Sequence, residues 1–302
     1  KGDEISNYAY NYGVKRTSTG LVEDSTFKST TVYLYGTGLR ADEGATTEDA
    51  MVESRTYKTG SADVALISDT TNIQSVTFYT GSKGDELSNY SYNYQVGTTT
   101  IKNTSVFFYG TDAYARSGSV TDTELAMNRS LSYKGELDAT ALAATTITAA
   151  GIQNKKSLTS DTWYFGSVKG DEISNYAYNY GVKRTSTGLV EDSGFKSTTV
   201  YLYGTGLRAD EGATTEDAMV ESRTYKTASA DVALISDTTN IQSATFYAGS
   251  KGDELSNYSY NYQVGFTTIK STSVFFYGTN AYARAASVTD TELAMHRSLS
   301  YK

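Results

Sequence analysis

Residues 169–302 of this chain repeat residues 1–134 almost letter for letter. The second copy begins at Lys169, 168 residues after Lys1, and only ten of the 134 aligned positions differ. A weaker duplication lies inside each copy, where the opening motif Lys-Gly-Asp-Glu returns at Lys83. A fixed period of this kind is typical of proteins in which each unit buries its surfaces against its neighbours. The repeat therefore predicts a structural array.

The recurring motif divides the chain into four units of two alternating types. We name them unit A (1–82), unit B (83–168), unit A′ (169–250) and unit B′ (251–302). Unit B′ stops where unit B runs on through Gly135, and the chain begins without a Met, a signal sequence or a polar capping unit. Because repeat arrays normally carry caps and targeting signals sit at a true N-terminus, we expect this sequence to be part of a much longer protein.

The composition limits both the fold and the partners. The chain has no proline and no cysteine but 27 tyrosines. Without proline, every backbone N–H is available for unbroken strand pairing, and without cysteine there are neither disulfides nor thiolate metal ligands. The net charge of −8 argues against nucleic acid and anionic membranes as partners, since both need clustered Lys and Arg. No apolar stretch approaches the roughly 18 residues that a membrane span requires.

Segments rich in aromatic and β-branched residues recur in units A and B and finish at or near a glycine. They cover residues 7–13, 31–36, 54–60 and 76–81 in unit A, and 89–94, 105–110, 130–135 and 162–166 in unit B. Each has the alternation and the closing turn residue of a β-strand.

The spacing of these strands defines a finer period. The closing tyrosines of unit A are 22 or 23 residues apart, from Tyr12 to Tyr35, Tyr57 and Tyr79. We therefore predict a mainly β, elongated repeat architecture with short helical connectors. Coils of about 22 residues in a β-solenoid, continuous stacked β modules and a string of separate β domains all use the same strands. The absence of a linker or a proline between units favours the continuous form.

Short helices are predicted in the connectors. Thr121 and Glu124 form a capping-box pattern at the start of 121–129, and 46–51 is similar. Residues 63–67 and 139–152 are weaker helical candidates.

The tyrosines of each strand are expected to share one face, because side chains i and i+2 of a strand point the same way. Stacked units would then place these stripes over one another as aromatic ladders, which stabilise a thin structure. The residues of the predicted structural ladder are Tyr8, Tyr10, Tyr12, Tyr33, Tyr35, Tyr90, Tyr92, Tyr94, Tyr176, Tyr178, Tyr180, Tyr258, Tyr260 and Tyr262.

Candidate catalytic and cofactor sites are few, and we predict neither a catalytic residue nor a cofactor. The lone histidine, His296, is replaced by Asn128 in the other copy. A residue that is present in only one of two matching sites is a poor candidate for a general base. The glycines that begin at Gly36 match a loose dinucleotide-binding pattern but lack its long helix, so we interpret them as a turn. Acidic pairs such as Asp3-Glu4, Asp42-Glu43 and Glu48-Asp49 leave structural calcium open as an alternative to solvated turns.

Two further features concern carbohydrate. Of four Asn-x-Ser/Thr sequons, only Asn89 and Asn257 occupy matching positions, and they are the candidate glycosylation sites. The single tryptophan, Trp163, precedes the junction with unit A′ and is interpreted as packing there, with carbohydrate stacking as the alternative.

The strand ends resemble a known group of bacterial proteins. Segments such as Tyr33-Leu34-Tyr35-Gly36 are similar to those of the YD-repeat shells of bacterial surface and toxin proteins, and of giant tandem-repeat surface proteins more generally. The resemblance covers only these strand ends, and the Asp and Gly-Arg-Leu of YD repeats are mostly missing. It implies an extended extracellular β structure.

We therefore expect a structural repeat protein without catalytic activity that forms a fibre, filament or sheath at the cell surface or outside the cell. Its partners would be further copies or repeats of the same chain, with no nucleic acid and no membrane span. The alternative is the repeat stalk of an adhesin that binds glycans or a partner protein through connectors such as 13–29 or 136–161.

Overall fold

One large antiparallel sheet dominates the computed structural model, as the sequence predicts for a mainly β chain. The structure describes residues 4–16, 22–58, 72–95, 97–110, 114–186, 190–227, 240–263, 265–278, 283–288 and 293–302. The strands are β1 (Tyr8–Arg16), β2 (Val22–Tyr35), β3 (Met51–Tyr57), β4 (Ile73–Thr80), β5 (Leu87–Tyr94), β6 (Ile101–Tyr109), β7 (Met127–Lys134), β8 (Ile147–Thr148), β9 (Gly151–Ile152), β10 (Leu158–Phe165), β11 (Ile173–Arg184), β12 (Val190–Tyr203), β13 (Met219–Tyr225), β14 (Ile241–Ala248), β15 (Leu255–Tyr262), β16 (Ile269–Tyr277), β17 (Ala283–Arg284) and β18 (Met295–Tyr301).

The strands of the sheet lie side by side in chain order. The path runs from β1 to β7, continues through β10 to β16, and ends with β17 and β18 both pairing with β16, while β8 and β9 form a separate hairpin. Sheet pairing continues across the unit boundaries, because β4 pairs with β5, β10 with β11 and β14 with β15. Every pair among the described strands is antiparallel, whereas coils winding in one direction would place neighbouring strands parallel.

The two copies use the same register. Tyr8 lies opposite Val32 in the first copy, and Tyr176 lies opposite Val200 in the second. Register shifts also recur, one of them beside the closing tyrosine Tyr35. Since a slip by one residue would turn every side chain to the other side of the sheet, the shared register gives both copies the same two faces.

The two faces differ in chemistry. The aromatic face carries the cross-strand row Val32, Arg55, Val76 and Tyr92 and the aromatic side chains beside it. The opposite, hydroxyl face carries Ser, Thr, Asn and other Tyr side chains, as where Asn11 Nδ2 donates to Thr31 Oγ1 at 2.9 Å. Alternation along each strand separates the two sets.

A covering segment, residues 135–157, packs on the aromatic face of β6 and β7. It contains helix α1 (Ala139–Ala144) and the β8–β9 hairpin. Leu142, Ile147 and Ile152 from this segment join a buried core with strand residues Phe108 and Leu131. Full burial of such a side chain contributes about 1.5–3 kcal/mol, so this second layer makes a large local contribution to stability.

Polar bonds also fix the covering segment to the strands. Tyr92 Oη donates to the Leu137 carbonyl at 2.8 Å, and Tyr133 Oη donates to the Asn154 carbonyl at 2.9 Å. Arg116 Nη1 donates to the Leu142 carbonyl at 3.3 Å, and this carbonyl also accepts a hydrogen bond from the backbone N–H of Thr145 at the C-terminal end of α1. Burial lowers the pKa of Arg116.

Two of the four helix predictions were wrong. Residues 121–126 form turns, and Met127, Asn128 and Arg129 belong to β7. Residues 46–50 are also a turn, in which the Asp49 carboxylate accepts hydrogen bonds from Thr46 N at 2.7 Å and Thr46 Oγ1 at 2.8 Å.

In 139–152 only the first six residues are helical, and the helix predicted at 63–67 lies outside the described residues. Within the described residues, the single-turn 3-10 helices lie at Ala41–Glu43, Ser117–Ser119, Ala209–Glu211 and Ala285–Ser287.

The glycine after β2 is required by the turn. Gly36 has φ +55°, and a Cβ on it would lie 2.8 Å from Asp49 Oδ1. Its counterpart Gly204, with φ +53°, approaches Asp217 in the same way. Only glycine combines this left-handed backbone with so close a neighbour, which explains why the strand closes at a glycine.

Candidate functional site: the aromatic face and its interstrand contacts

Aromatic side chains form clusters on the aromatic face at the unit boundaries. Phe78 of β4 stacks on Tyr90 of β5, with ring centroids 4.5 Å apart and an interplanar angle of 22°. The second copy repeats this with Phe246 and Tyr258, at 4.6 Å and 19°. Contacts of this geometry are worth about 0.5–1.5 kcal/mol each beyond the buried area. The clusters join the last strand of one unit to the first strand of the next.

The predicted ladder is divided between the two faces. Tyr8 and Tyr10 lie on the aromatic face with their ring centroids 5.1 Å apart. Tyr33 and Tyr35 lie on the hydroxyl face, because Val32 rather than Tyr33 is opposite Tyr8. The ladder tyrosines of β5, β11 and β15 belong to the aromatic face.

A tyrosine clasp recurs once in each of the four units. The closing tyrosine of the second strand donates its hydroxyl hydrogen to the backbone carbonyl of the serine that opens the motif Ser-Asn-Tyr. The four bonds are Tyr35 to Ser6 at 2.8 Å, Tyr109 to Ser88 at 2.7 Å, Tyr203 to Ser174 at 2.8 Å and Tyr277 to Ser256 at 2.6 Å. The clasp therefore fixes the N-terminal end of the first strand of the unit to the C-terminal end of the second strand.

An arginine clasp stands next to it. An arginine that follows the second strand of the unit donates from Nε to Oδ1 of the asparagine in Ser-Asn-Tyr. The four bonds are Arg40 to Asn7 at 3.2 Å, Arg116 to Asn89 at 3.0 Å, Arg208 to Asn175 at 3.4 Å and Arg284 to Asn257 at 3.1 Å. The candidate glycosylation residues Asn89 and Asn257 thus lie half-buried in this contact.

A glutamate clasp explains the recurring Lys-Gly-Asp-Glu motif. The Glu carboxylate accepts from the backbone N–H of the glycine two residues before it and from the N–H of the methionine that begins an earlier strand. The bonds to methionine are Met51 N to Glu86 at 2.9 Å, Met127 N to Glu172 at 2.7 Å and Met219 N to Glu254 at 3.0 Å. Two of these three clasps, at Glu86 and Glu254, join units A to B and A′ to B′, and the third joins B to A′. Our interpretation of acidic pairs as solvated turns or calcium ligands missed this role.

A buried ion pair lies at the junction of units B and A′. Arg129 Nε and Nη2 donate to the two carboxylate oxygens of Asp161 at 2.6 and 2.7 Å, with side-chain exposures of only 8% and 1%. The guanidinium carbon lies 4.4 Å from the Trp163 ring centroid, and Trp163 stacks with Tyr176 of β11 at 6.0 Å. Burial raises the pKa of Asp161, and the bonds from Arg129 oppose that rise. These contacts match the interpretation of Trp163 as a packing residue.

Burial also raises the pKa of many tyrosine hydroxyls. The pKa of Tyr92, Tyr180 and Tyr201 rises to about 12, with burial as the largest cause in each case. Tyr109 and Tyr133 have raised pKa values for the same reason. The phenols therefore stay protonated and act as hydrogen-bond donors, as the tyrosine clasp requires.

The remaining candidates are dispersed. His296 lies exposed in β18, and Asp3 lies outside the described residues, as do the central residues 17–21 of the 13–29 connector. In the described ranges, no three His, Asp or Glu side chains converge as metal ligands would. None of the described helices is long and apolar enough to span a membrane.

No protein-family model matches this chain, and no curated protein matches its sequence.

Proposed function

We propose that this chain is a non-enzymatic structural protein, an elongated array of β units that builds a fibre, filament or sheath at the cell surface or outside the cell. The observation that carries the proposal is the recurrence of one bonding scheme. The tyrosine and arginine clasps occur in all four units although units A and B differ in most connector residues. The partners in the array are further repeats of the same kind.

The contacts between units support this assignment. Strand pairing, stacked aromatic rings and the glutamate clasp all join one unit to the next. Units held by backbone pairing have stabilities that depend on their neighbours, as in repeat arrays whose length is set by copy number. The resemblance of the strand ends to YD-repeat surface proteins favours an extracellular location.

Electron microscopy of chains with one, two and three copies of residues 1–168 tests the proposal. Each copy contributes eight strands to the main sheet. At about 4.8 Å per strand, particle length should grow by up to about 38 Å for each added copy. Particles that become wider but not longer would contradict an elongated array.

A further inference from the structure

A cleft on the aromatic face, at the boundary of units A′ and B′, has the composition of a ligand site. Its volume is about 400 Å³, and it is lined by Glu221, Arg223, Phe246, Tyr260 and Tyr262 among others. Ligand sites typically measure about 300–1,000 Å³ and combine aromatic walls with a few oriented polar groups. The covering segment 135–157 packs elsewhere, on β6 and β7.

The aromatic walls offer ring faces at different angles. Phe246 and Tyr260 are 5.6 Å apart with an interplanar angle of 73°, so the two rings stand edge to face. Tyr260 and Tyr262 are both half-buried, which leaves part of each ring accessible. An aromatic face of this kind packs well against the C–H face of a pyranose ring.

The polar part of the cleft is an ion pair with spare hydrogen-bonding capacity. Arg223 Nε and Nη2 donate to the two carboxylate oxygens of Glu221 at 2.7 and 2.9 Å, and the arginine side chain is 43% exposed. A guanidinium has five N–H donors and a carboxylate about four acceptor positions, so the exposed part of Arg223 and the 12% of the Glu221 side chain that is exposed can also bind hydroxyls. The two charges cancel locally, which disfavours anionic ligands.

We propose that this cleft binds a neutral carbohydrate, with a sugar ring stacked on the tyrosines and its hydroxyl groups bonded to Arg223 and Glu221. This site lies on the sheet rather than in the connectors that the sequence suggested for glycan binding. The inference is independent of the proposed fibre, because the array could form with the cleft empty.

A difference between the copies provides a matched test. Ala244, only 2% exposed at the base of the cleft, replaces Val76 of the first copy, which is 4% exposed. Ala244→Val would add two methyl groups to the cleft in surroundings where valine is already accommodated. Ala248→Thr is the control, because it also restores a first-copy residue on β14 but does not line the cleft.

The experiment uses the full chain of 302 residues and an array of neutral and uronic-acid oligosaccharides, followed by calorimetric titration of the strongest neutral binder. Saturable binding of a neutral oligosaccharide is expected, with a loss of about tenfold or more in Ala244→Val and no change in Ala248→Thr. Circular dichroism should be unchanged in both variants.

Three results would overturn the proposal: no neutral sugar binding, tighter binding of uronic acids, or equal binding by Ala244→Val and the natural chain. Binding only of apolar dyes or aromatic peptides would also overturn it, since the Arg223–Glu221 pair would then have no role.

Discussion

Strands β6 and β7 differ from β16 and β18 at only two aligned positions, yet the two pairs are buried very differently. Leu131 and Tyr133 of β7 are 0% exposed, whereas Tyr301, the counterpart of Tyr133, is 56% exposed. Residues 135–157 cover β6 and β7, and β10 pairs with the outer side of β7. Strand β18, the counterpart of β7, pairs only with β16. The strand sequence therefore fixes which face a side chain occupies, and the neighbouring segments determine whether it is buried.

The largest expected effect concerns the buried ion pair. Arg129→Ala should lower the free energy of unfolding by about 3–5 kcal/mol, because it leaves the Asp161 carboxylate buried without its partner. The matched variant Arg297→Ala changes an exposed residue and should cost about 0.5 kcal/mol or less. Urea denaturation followed by circular dichroism measures both, and equal losses would contradict the comparison.

A core truncation should give the next largest difference. Leu131→Ala removes a fully buried side chain and should destabilise by about 2–5 kcal/mol. Its counterpart Leu299 is only half-buried, so Leu299→Ala should cost clearly less. The same denaturation assay decides this, and a larger loss at Leu299 would show that the covering segment does not set the burial of these strands.

Alkaline pH should release the covering segment. The pKa of Tyr92 rises to about 12 in the folded chain, above the value of about 10 for an unfolded tyrosine. Because the pKa of Tyr92 is higher in the folded chain than in the unfolded chain, the unfolded chain loses the phenol proton at lower pH. The stability that this difference contributes is therefore complete below pH 10 and is lost as the pH rises through 12.

Near-ultraviolet phenolate absorbance and hydrogen exchange of residues 135–157 would follow this transition together. Ionisation of all tyrosines near pH 10, with the exchange of the segment unchanged, would refute the expectation.

The smallest effect concerns one hydrogen bond. Tyr133→Phe removes the bond to the Asn154 carbonyl and leaves that carbonyl without its donor, so a loss of about 1 kcal/mol is expected. Tyr301→Phe, at the exposed counterpart, should be close to neutral. Thermal unfolding of the two variants gives the comparison, and a neutral Tyr133→Phe would mean that water replaces the bond.

Sequence reasoning predicted the strands because their signal is local. The alternation around Tyr8 and Tyr10, with a glycine behind it, identifies a strand without knowledge of its partner. The helix predictions failed where strand pairing with a distant segment determines the secondary structure. Thr121 and Glu124 fit a capping box, but Met127 to Arg129 pair with β6 instead.

The recurring clasps could not be predicted for a related reason. The Glu86 carboxylate binds a backbone N–H 35 residues away, and only the strand register brings the two together. The recurrence of the Lys-Gly-Asp-Glu motif indicates that its glutamate has a structural role, but it does not specify which backbone N–H the carboxylate binds. The division of the ladder between two faces likewise depends on the pairing of Tyr8 with Val32.

The dependence of each unit on its neighbours is tested most directly by comparing residues 83–168 alone with the full chain. Trp163, the only tryptophan, lies at the boundary of units B and A′ and contacts Tyr176 of the next unit. The fragment alone should show red-shifted tryptophan emission and a lower urea midpoint, or associate through its open edges. A monomeric fragment with the emission and midpoint of the full chain would contradict it.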